Sequence, residues 1–489
     1  MKSLLYDSNC PKLGYIKEKT FEKLSLEKTL DFFIPERHLK KIFISVLSRP
    51  VLSEKSIKYR QEILKEFAKN PAVFSNLSDL FERFKILKDN FSSERRENLR
   101  FFKGSGSELS LQGTKAVLRS CSVKLKEELS LITSMYNCVL PYEFTSDGLR
   151  LFKNELFELY SGGGIELLSE ICAYFESRTE SAPISVNAEI DKSGKIALFS
   201  MVKDSVKKEK NTLKKGSLLN FLSLKNEDSG EKNITLPDIA STAYNVLETN
   251  SLSVISEKLD GIFRALSEIF EGYAEDFDFY KAALMYMNFL KKKGCPAVFP
   301  SVSEENSDDI KDLYDLLLVS EIAETQNVVP NNFSRGNDEK GFLIFGDNGC
   351  GKTVYIRSVA AAYIFAEAGL PIPAASAKMR CYHSIEVLFA KSEEEDEEKG
   401  AGVGRFEGEV IEMHELINTL ENGALVFFNE MFQSTDYNEG AKALCGILDY
   451  LTERGAVWIT VSHLKKLSSL EDGAKVLYAD AGFRISTCG

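Results

Sequence analysis

The sequence predicts a multidomain chain in which an α-helical region is followed by an α/β domain, and three observations carry that prediction. Apolar residues recur at steps of three and four from the N-terminus to about residue 180. From about Ile322 to the end, short apolar strands alternate with helical stretches, the pattern of a mostly parallel sheet. Between a strand, Phe342-Leu343-Ile344-Phe345, and a long apolar helix over 354–366 lies a glycine-rich loop, Gly346-Asp347-Asn348-Gly349-Cys350-Gly351-Lys352-Thr353. At 489 residues the chain is also long for one hydrophobic core.

Within the helical region, Pro50 and Ser53 mark a helix start, followed by Ile57, Ile63, Leu64 and Phe67 on one face. Over 183–202 the period changes to alternation, Ile184 and Val186, then Ile196 and Leu198, with Lys192-Ser193-Gly194 as the hairpin turn. A polar segment from about Lys203 to Asn233 reads as a linker. Next, Leu252, Ile255, Leu259, Ile262, Leu266, Ile269 and Tyr273 alternate steps of three and four, continuing through Phe277, Tyr280, Leu284 and Met287. This pattern fits either one long lever-like helix or core helices broken near Gly272. Lys291-Lys292-Lys293-Gly294 and Pro296 are the stop signal.

The composition, 44% hydrophobic and 27% charged, is that of a globular protein, and no apolar run reaches the length of a membrane span. With no signal-peptide pattern and nine scattered cysteines lacking metal-ligand spacing, the expectation is a cytoplasmic protein with reduced thiols and no membrane partner. His38, His383, His414 and His463 are too dispersed for a metal site. A net charge of −12 argues against a uniformly basic nucleic-acid coat. The acidic run over 393–398 reads as a solvated loop. The basic stretch Lys203, Lys207, Lys208, Lys210, Lys214 and Lys215 fits a phosphate backbone or a solvated face equally.

The loop has the spacing G-x-x-x-x-G-K-[ST], which predicts ATP binding. Backbone N–H groups around Gly346, Asn348, Gly349, Cys350 and Gly351 would cradle the polyphosphate at the positive end of the following helix. Lys352 would reach the outer phosphates, and Thr353 would ligate Mg²⁺. Cys350 reads as a small tolerated side chain. A second apolar strand, Ala424-Leu425-Val426-Phe427-Phe428, ends in Asn429-Glu430. This is Walker-B-like, with Asn429 in the Mg²⁺ shell where such sites carry an acid and Glu430 positioned to polarise the attacking water. A third strand, Val457-Trp458-Ile459-Thr460-Val461, delivers Ser462-His463 at the ligand-binding edge of such a sheet. His463 would sense the terminal phosphate or orient the water.

These motifs together resemble the MutS family of DNA mismatch-repair ATPases, of the ABC-type class. Val329-Pro330-Asn331-Asn332 resembles the segment ahead of the family's loop, and Tyr355-Ile356-Arg357-Ser358-Val359-Ala360 and Gly369-Leu370-Pro371-Ile372-Pro373-Ala374 resemble its continuation. Asn429-Glu430-Met431, Thr435 and Gly440 follow the D-E-I-G-R-G-T-S spacing, and Ser462-His463 stands for T-H. Pro50 and Arg60-Gln61 resemble the family's core domain. The resemblance implies a helical core and first lever over 1–182, a small β element and linker over 183–233, returning levers over 234–321 and an ABC-type P-loop ATPase domain over 322–489.

Several positions depart from the family pattern. The mismatch-reading and connector domains have no counterpart ahead of the core-like region, as in the shorter MutS-related paralogues, and the C-terminal dimer-supporting helices are curtailed. In the signature loop, Gly404-Arg405 persists but Phe406-Glu407-Gly408 replaces the hydroxyl pair. Phe432 stands for a glycine and Gln433 for an arginine. The resemblance implies a homodimer acting on DNA, with repair-protein partners, in which ATP binding and slow hydrolysis move the levers. Asn429, the altered signature loop and the acidic balance favour an alternative, a nucleotide-responsive scaffold that hydrolyses little and recruits protein partners.

Overall fold

The computed structural model describes residues 3–7, 13–105, 111–178, 186–190, 196–201, 238–303, 305–382, 384–390, 405–433, 435–463 and 474–487. At 91–105, 112, 178, 186–190, 196–201, 238–247 and 405 it describes the backbone alone. The basic stretch, the linker, the hairpin turn, the acidic run, His383 and Gly404 lie outside the described residues.

Helices α1 (Glu18–Lys23), α2 (Leu26–Asp31), α3 (Arg37–Leu47), α4 (Glu54–Lys69), α5 (Pro71–Ser105), α6 (Leu111–Val139), α7 (Asp147–Ser161) and α8 (Gly164–Arg178) open the chain. Strands β1 (Val186–Ile190) and β2 (Ile196–Met201) pair antiparallel, as the alternation predicts. Helix α9 (Asp238–Lys292) follows. Contacts divide the chain into two compact units, Met1–Ser78 with Tyr142–Phe152 and Gly272–Gly489, and Asp79–Pro141 with Lys153–Glu271. Three of its four boundaries fall inside α5, α7 and α9, and the fourth lies between α6 and α7.

In the second unit, Tyr136 of α6 stacks on Tyr160 with ring centroids 4.5 Å apart. The inner face of α9 there runs through Leu252, Ser256, Leu259, Phe263, Ser267 and Phe270. Ile269, expected on that face, is 43% exposed. Phe263 and Phe270, each one residue on from an isoleucine of the aliphatic series, bury larger rings instead. Ser267 Oγ donates to Glu128 Oε1 of α6 at 2.8 Å. Burial pushes the Glu128 carboxyl up to about 8, only partly offset by that hydrogen bond.

In the first unit α9 continues without a break at Gly272, where helix propensity alone would weaken it. Tyr273 and Phe277 just beyond are buried, and Phe152 meets both rings, at 4.8 and 6.2 Å, so packing outweighs the glycine. The helix ends as its sequence requires. Gly294 adopts φ +64°, and Cys295 N donates back to Leu290 O.

The α/β part recruits strands from ahead of Ile322, the expected boundary. Strands β3 (Ser301–Ser303), β4 (Asp308–Leu313), β5 (Asn331–Arg335) and β7 (Ser376–Arg380) form a four-stranded sheet in the order β3-β7-β4-β5. Helix α10 (Leu316–Glu321) lies between β4 and β5 in sequence. The second sheet comprises β6 (Gly341–Phe345), β8 (Ile385–Phe389), β9 (Leu425–Asn429), β10 (Val457–Val461), β11 (Ala474–Ala479) and β12 (Ile485–Ser486), in the order β12-β11-β6-β10-β9-β8. All its pairs are parallel except β11 with β12. Near-continuous burial of β6, β9 and β10 follows from helices covering such a sheet. Helices α11 (Lys352–Glu367), α12 (Arg405–Thr419) and α13 (Tyr437–Glu453) complete the domain.

From Ser358 onward helix α11 is buried on every side, which its nearly all-round apolar sequence there reflects. Phe365 meets Phe43 of α3 at 6.0 Å and Tyr286 of α9 at 5.0 Å. Arg60 and Gln61, singled out in the sequence, are buried ties in this packing. Arg60 Nε donates to Leu5 O and its Nη1 to Ala368 O, just past α11, while Gln61 Nε2 donates to Pro300 O. The start of α4 is as expected, with Ser53 Oγ accepting from Ser56 N at 3.1 Å.

Candidate functional site

The site lies at the C-terminal ends of three neighbouring parallel strands, β6, β10 and β9. Beyond β6 the chain turns through Gly346 at φ +151°, Gly349 at +81° and Gly351 at +82°. A Cβ at Gly346 would lie 2.8 Å from Ala479 O, so only glycine fits between the loop and the end of β11. Gly351 is the N-cap of α11 and gives it no side-chain cap, leaving the first-turn N–H groups of a long helix directed at the loop. Lys352 folds back over the turn, its Nζ donating to Gly346 O at 2.9 Å and Asp347 O at 2.7 Å. Cys350 N faces Asp347 O at 3.4 Å.

Thr353 Oγ1 donates to Asn429 Oδ1 at 3.2 Å, bringing together two side chains separated by 76 positions. The Asn429 backbone is fixed by pairing with Phe389 of β8 and Val461 of β10. Glu430 then turns into the left-handed region at φ +57°, and its N–H donates to Val461 O at 2.9 Å. That turn carries its carboxylate to His463, whose Nε2 lies 3.2 Å from Glu430 Oε1. Tyr437 Oη donates to His463 O at 3.4 Å.

Phe432, at the position where the family pattern has glycine, adopts φ +61°. A bulky residue in that region carries backbone strain of about 1–3 kcal/mol. The turn closes against Gly440 of α13, where a Cβ would meet Phe432 O at 2.6 Å. On the other side, Glu409 Oε2 of α12 accepts from Phe432 N at 2.7 Å.

Sequence reasoning missed Glu409, which carries no motif of its own. It also missed Phe483, which is 52% exposed at φ +62° in the β11–β12 turn. A Cβ at Gly351 would lie 3.5 Å from its ring. The segment ahead of the loop explains that placement. Asn331 Nδ2 donates to Phe483 O, and Asn331 Oδ1 accepts from Ile485 N. The neighbouring Asn332 O accepts from Tyr355 Oη of α11.

This arrangement offers an anion cradle, two neutral hard oxygens side by side, and a carboxylate–imidazole pair, all on one sheet edge. Among the described residues no helix is long and apolar enough to cross a membrane.

Comparison with known proteins agrees with the motifs. The family model for MutS domain V matches residues 342–481, and that for the MutS2 N-terminal domain matches 53–293. Among curated proteins, the chain is similar to Endonuclease MutS2 of Bacillus mycoides strain KBAB4 and of Bacillus cereus strain Q1, each 28% identical over 213 residues. Endonuclease MutS2 of Bacillus thuringiensis strain Al Hakam is 27% identical over the same length. Each alignment covers 43% of this chain and 25% of the relative, so it spans about a quarter of those proteins. With one family model on the helical region and another on the sheet that carries the site, the chain belongs to the MutS family.

Proposed function

We propose that the chain is a MutS-like ATPase that binds Mg²⁺-ATP at the Gly346–Thr353 turn, hydrolyses it slowly and uses the cycle to move its long helices on DNA. The observation that carries this reading is the convergence of Thr353 with Asn429 and of Glu430 with His463 at the ends of adjacent strands.

Each group has a role that follows from its placement. The uncapped α11 N-terminus and the glycine turn bind polyphosphate. Lys352 exchanges the carbonyls of Gly346 and Asp347 for phosphate oxygens. Thr353 and Asn429 would hold Mg²⁺, whose charge neutralises the phosphate oxygens. Glu430 takes the proton of the attacking water as its oxygen bonds the terminal phosphorus. The bond to the bridging oxygen breaks, with its electron pair leaving on ADP. His463 fixes the direction of the Glu430 carboxylate and faces the terminal phosphate. Phe483, beside the start of α11, supplies an aromatic face for the base. Catalysis of this kind rests on positioning and charge neutralisation.

DNA binding, a homodimeric state, repair-protein partners and a cytoplasmic location are proposed from family membership. Nuclease activity belongs to the relatives' name and is not proposed for this chain. Asn429 favours a second reading, a nucleotide-responsive scaffold with little hydrolysis, because a neutral amide beside Thr353 attracts a divalent cation less than a carboxylate does.

The test is steady-state phosphate release from Mg²⁺-ATP with no DNA, perfect duplex, mismatched duplex and branched DNA, against Glu430→Ala as background. Stimulation by one DNA form, with affinity that falls as salt rises, supports the DNA-coupled ATPase. Nucleotide binding with release at background in every condition moves the assignment to the scaffold.

A further inference from the structure

We infer that Glu409 is a positioning residue for hydrolysis, holding the backbone turn that aims Glu430 at His463 and tying that turn to α12. This inference rests on the ATPase reading above.

The turn after β9 is short and strained. Glu430 and Phe432 both adopt positive φ, +57° and +61°, and neither is glycine. Such a conformation persists only where its surroundings fix it. Glu430 is fixed by its N–H on Val461 O, within the sheet. Phe432 is fixed from outside the sheet, by Glu409 Oε2 on its N–H at 2.7 Å. Glu409 is only 5% exposed, so this bond is shielded from water. The Phe432 ring reinforces it, meeting Phe406 of the same helix at 5.9 Å.

Helix α12 is itself anchored away from the site. Lys23 of α1 pairs with Glu412 at 2.7 Å, Lys17 Nζ donates to Thr419 Oγ1 at 3.0 Å, and Lys17 also pairs with Glu386 of β8 at 3.1 Å. Glu409 therefore connects a helix held by the N-terminal segment to the two residues proposed to activate water. A displacement of α12 would rotate the Phe432 peptide and, through Met431, the Glu430 carboxylate. Lys352 donates to Gly346 O and Asp347 O of the glycine turn, so the proposed nucleotide contacts are held separately from the turn after β9.

The test compares Glu409→Ala and Glu409→Gln with the unaltered 489-residue chain. Gln keeps an acceptor oxygen for Phe432 N, whereas Ala removes it. The expected result for Ala is a fall in kcat of about tenfold, the scale of a small misplacement of a reacting group, with KM for ATP unchanged. Binding stoichiometry of a fluorescent ATP analogue stays at the wild-type value, which separates misaimed sites from unfolded protein. Gln recovers most of the rate, with KM for ATP again unchanged. Wild-type kcat in Glu409→Ala overturns the inference. So does an equal loss in both variants with a reduced stoichiometry. Failure of the ATPase reading shows separately, as wild-type phosphate release no higher than Glu430→Ala.

Discussion

Replacing Asn429 with Asp tests the metal assignment through a charge change at one atom. Asn429 Oδ1 already accepts from Thr353 Oγ1 at 3.2 Å, and Asp presents an oxygen at the same place. The backbone is pinned by strands on both sides, so the fold should tolerate the change. What changes is one negative charge beside the proposed Mg²⁺ position. Thr353 is exposed, so solvent screens the interaction. Two unit charges about 4 Å apart in water attract by about 1 kcal/mol, and a divalent ion doubles this. Screening at physiological salt leaves about 1–2 kcal/mol. At about 1.4 kcal/mol per decade, the half-saturating Mg²⁺ concentration should fall about five- to thirtyfold. The assay is phosphate release at fixed ATP across a Mg²⁺ titration, with affinity for metal-free nucleotide measured alongside. An unchanged Mg²⁺ midpoint would refute the placement of Asn429 in the metal shell.

Two further outcomes follow from other parts of the molecule. Lys352→Ala removes a charged donor that now caps the loop carbonyls, and nucleotide affinity should weaken by about 1.5–3 kcal/mol, read by titration of a fluorescent ATP analogue. Equal affinity would remove Lys352 from the site. Glu128, raised from 4.5 to about 8 by burial, stays protonated in the folded chain where the unfolded chain has lost the proton. Its contribution to stability therefore falls as pH rises from 4.5 to about 8 and is level above that. Glu128→Gln keeps an acceptor for Ser267 and cannot ionise. Its denaturation midpoint should match wild type near pH 4.5 and exceed it increasingly up to pH 8, and a constant difference across that window would refute the assignment.

The long helix shows how a local pattern was legible while its inner face was not. The steps of three and four in 252–287 announced a helix, and Lys291–Gly294 announced its end, because both signals are local. Whether Gly272 broke it was undecidable from propensity, since the deciding contacts come from Phe152, more than a hundred positions away. Which residues faced inward was also misread, with Ile269 outside and Phe270 inside, because the partner surface on α5 and α6 selects the face.

By itself the sequence determined the glycine turn, the buried strands on either side of it, and the chemical identities of Lys352, Thr353, Asn429, Glu430 and His463. Positive φ demands glycine at fixed offsets, and strands covered on both faces demand unbroken apolar runs, so each leaves a local trace. Only the tertiary structure decided that Thr353 meets Asn429, that Glu430 meets His463, that Phe483 stands beside Gly351, and that Glu409 holds the turn after β9. Those contacts join residues brought together by strand order and helix docking. A carboxylate that accepts one backbone N–H from a distant turn has no spacing rule that the sequence could display.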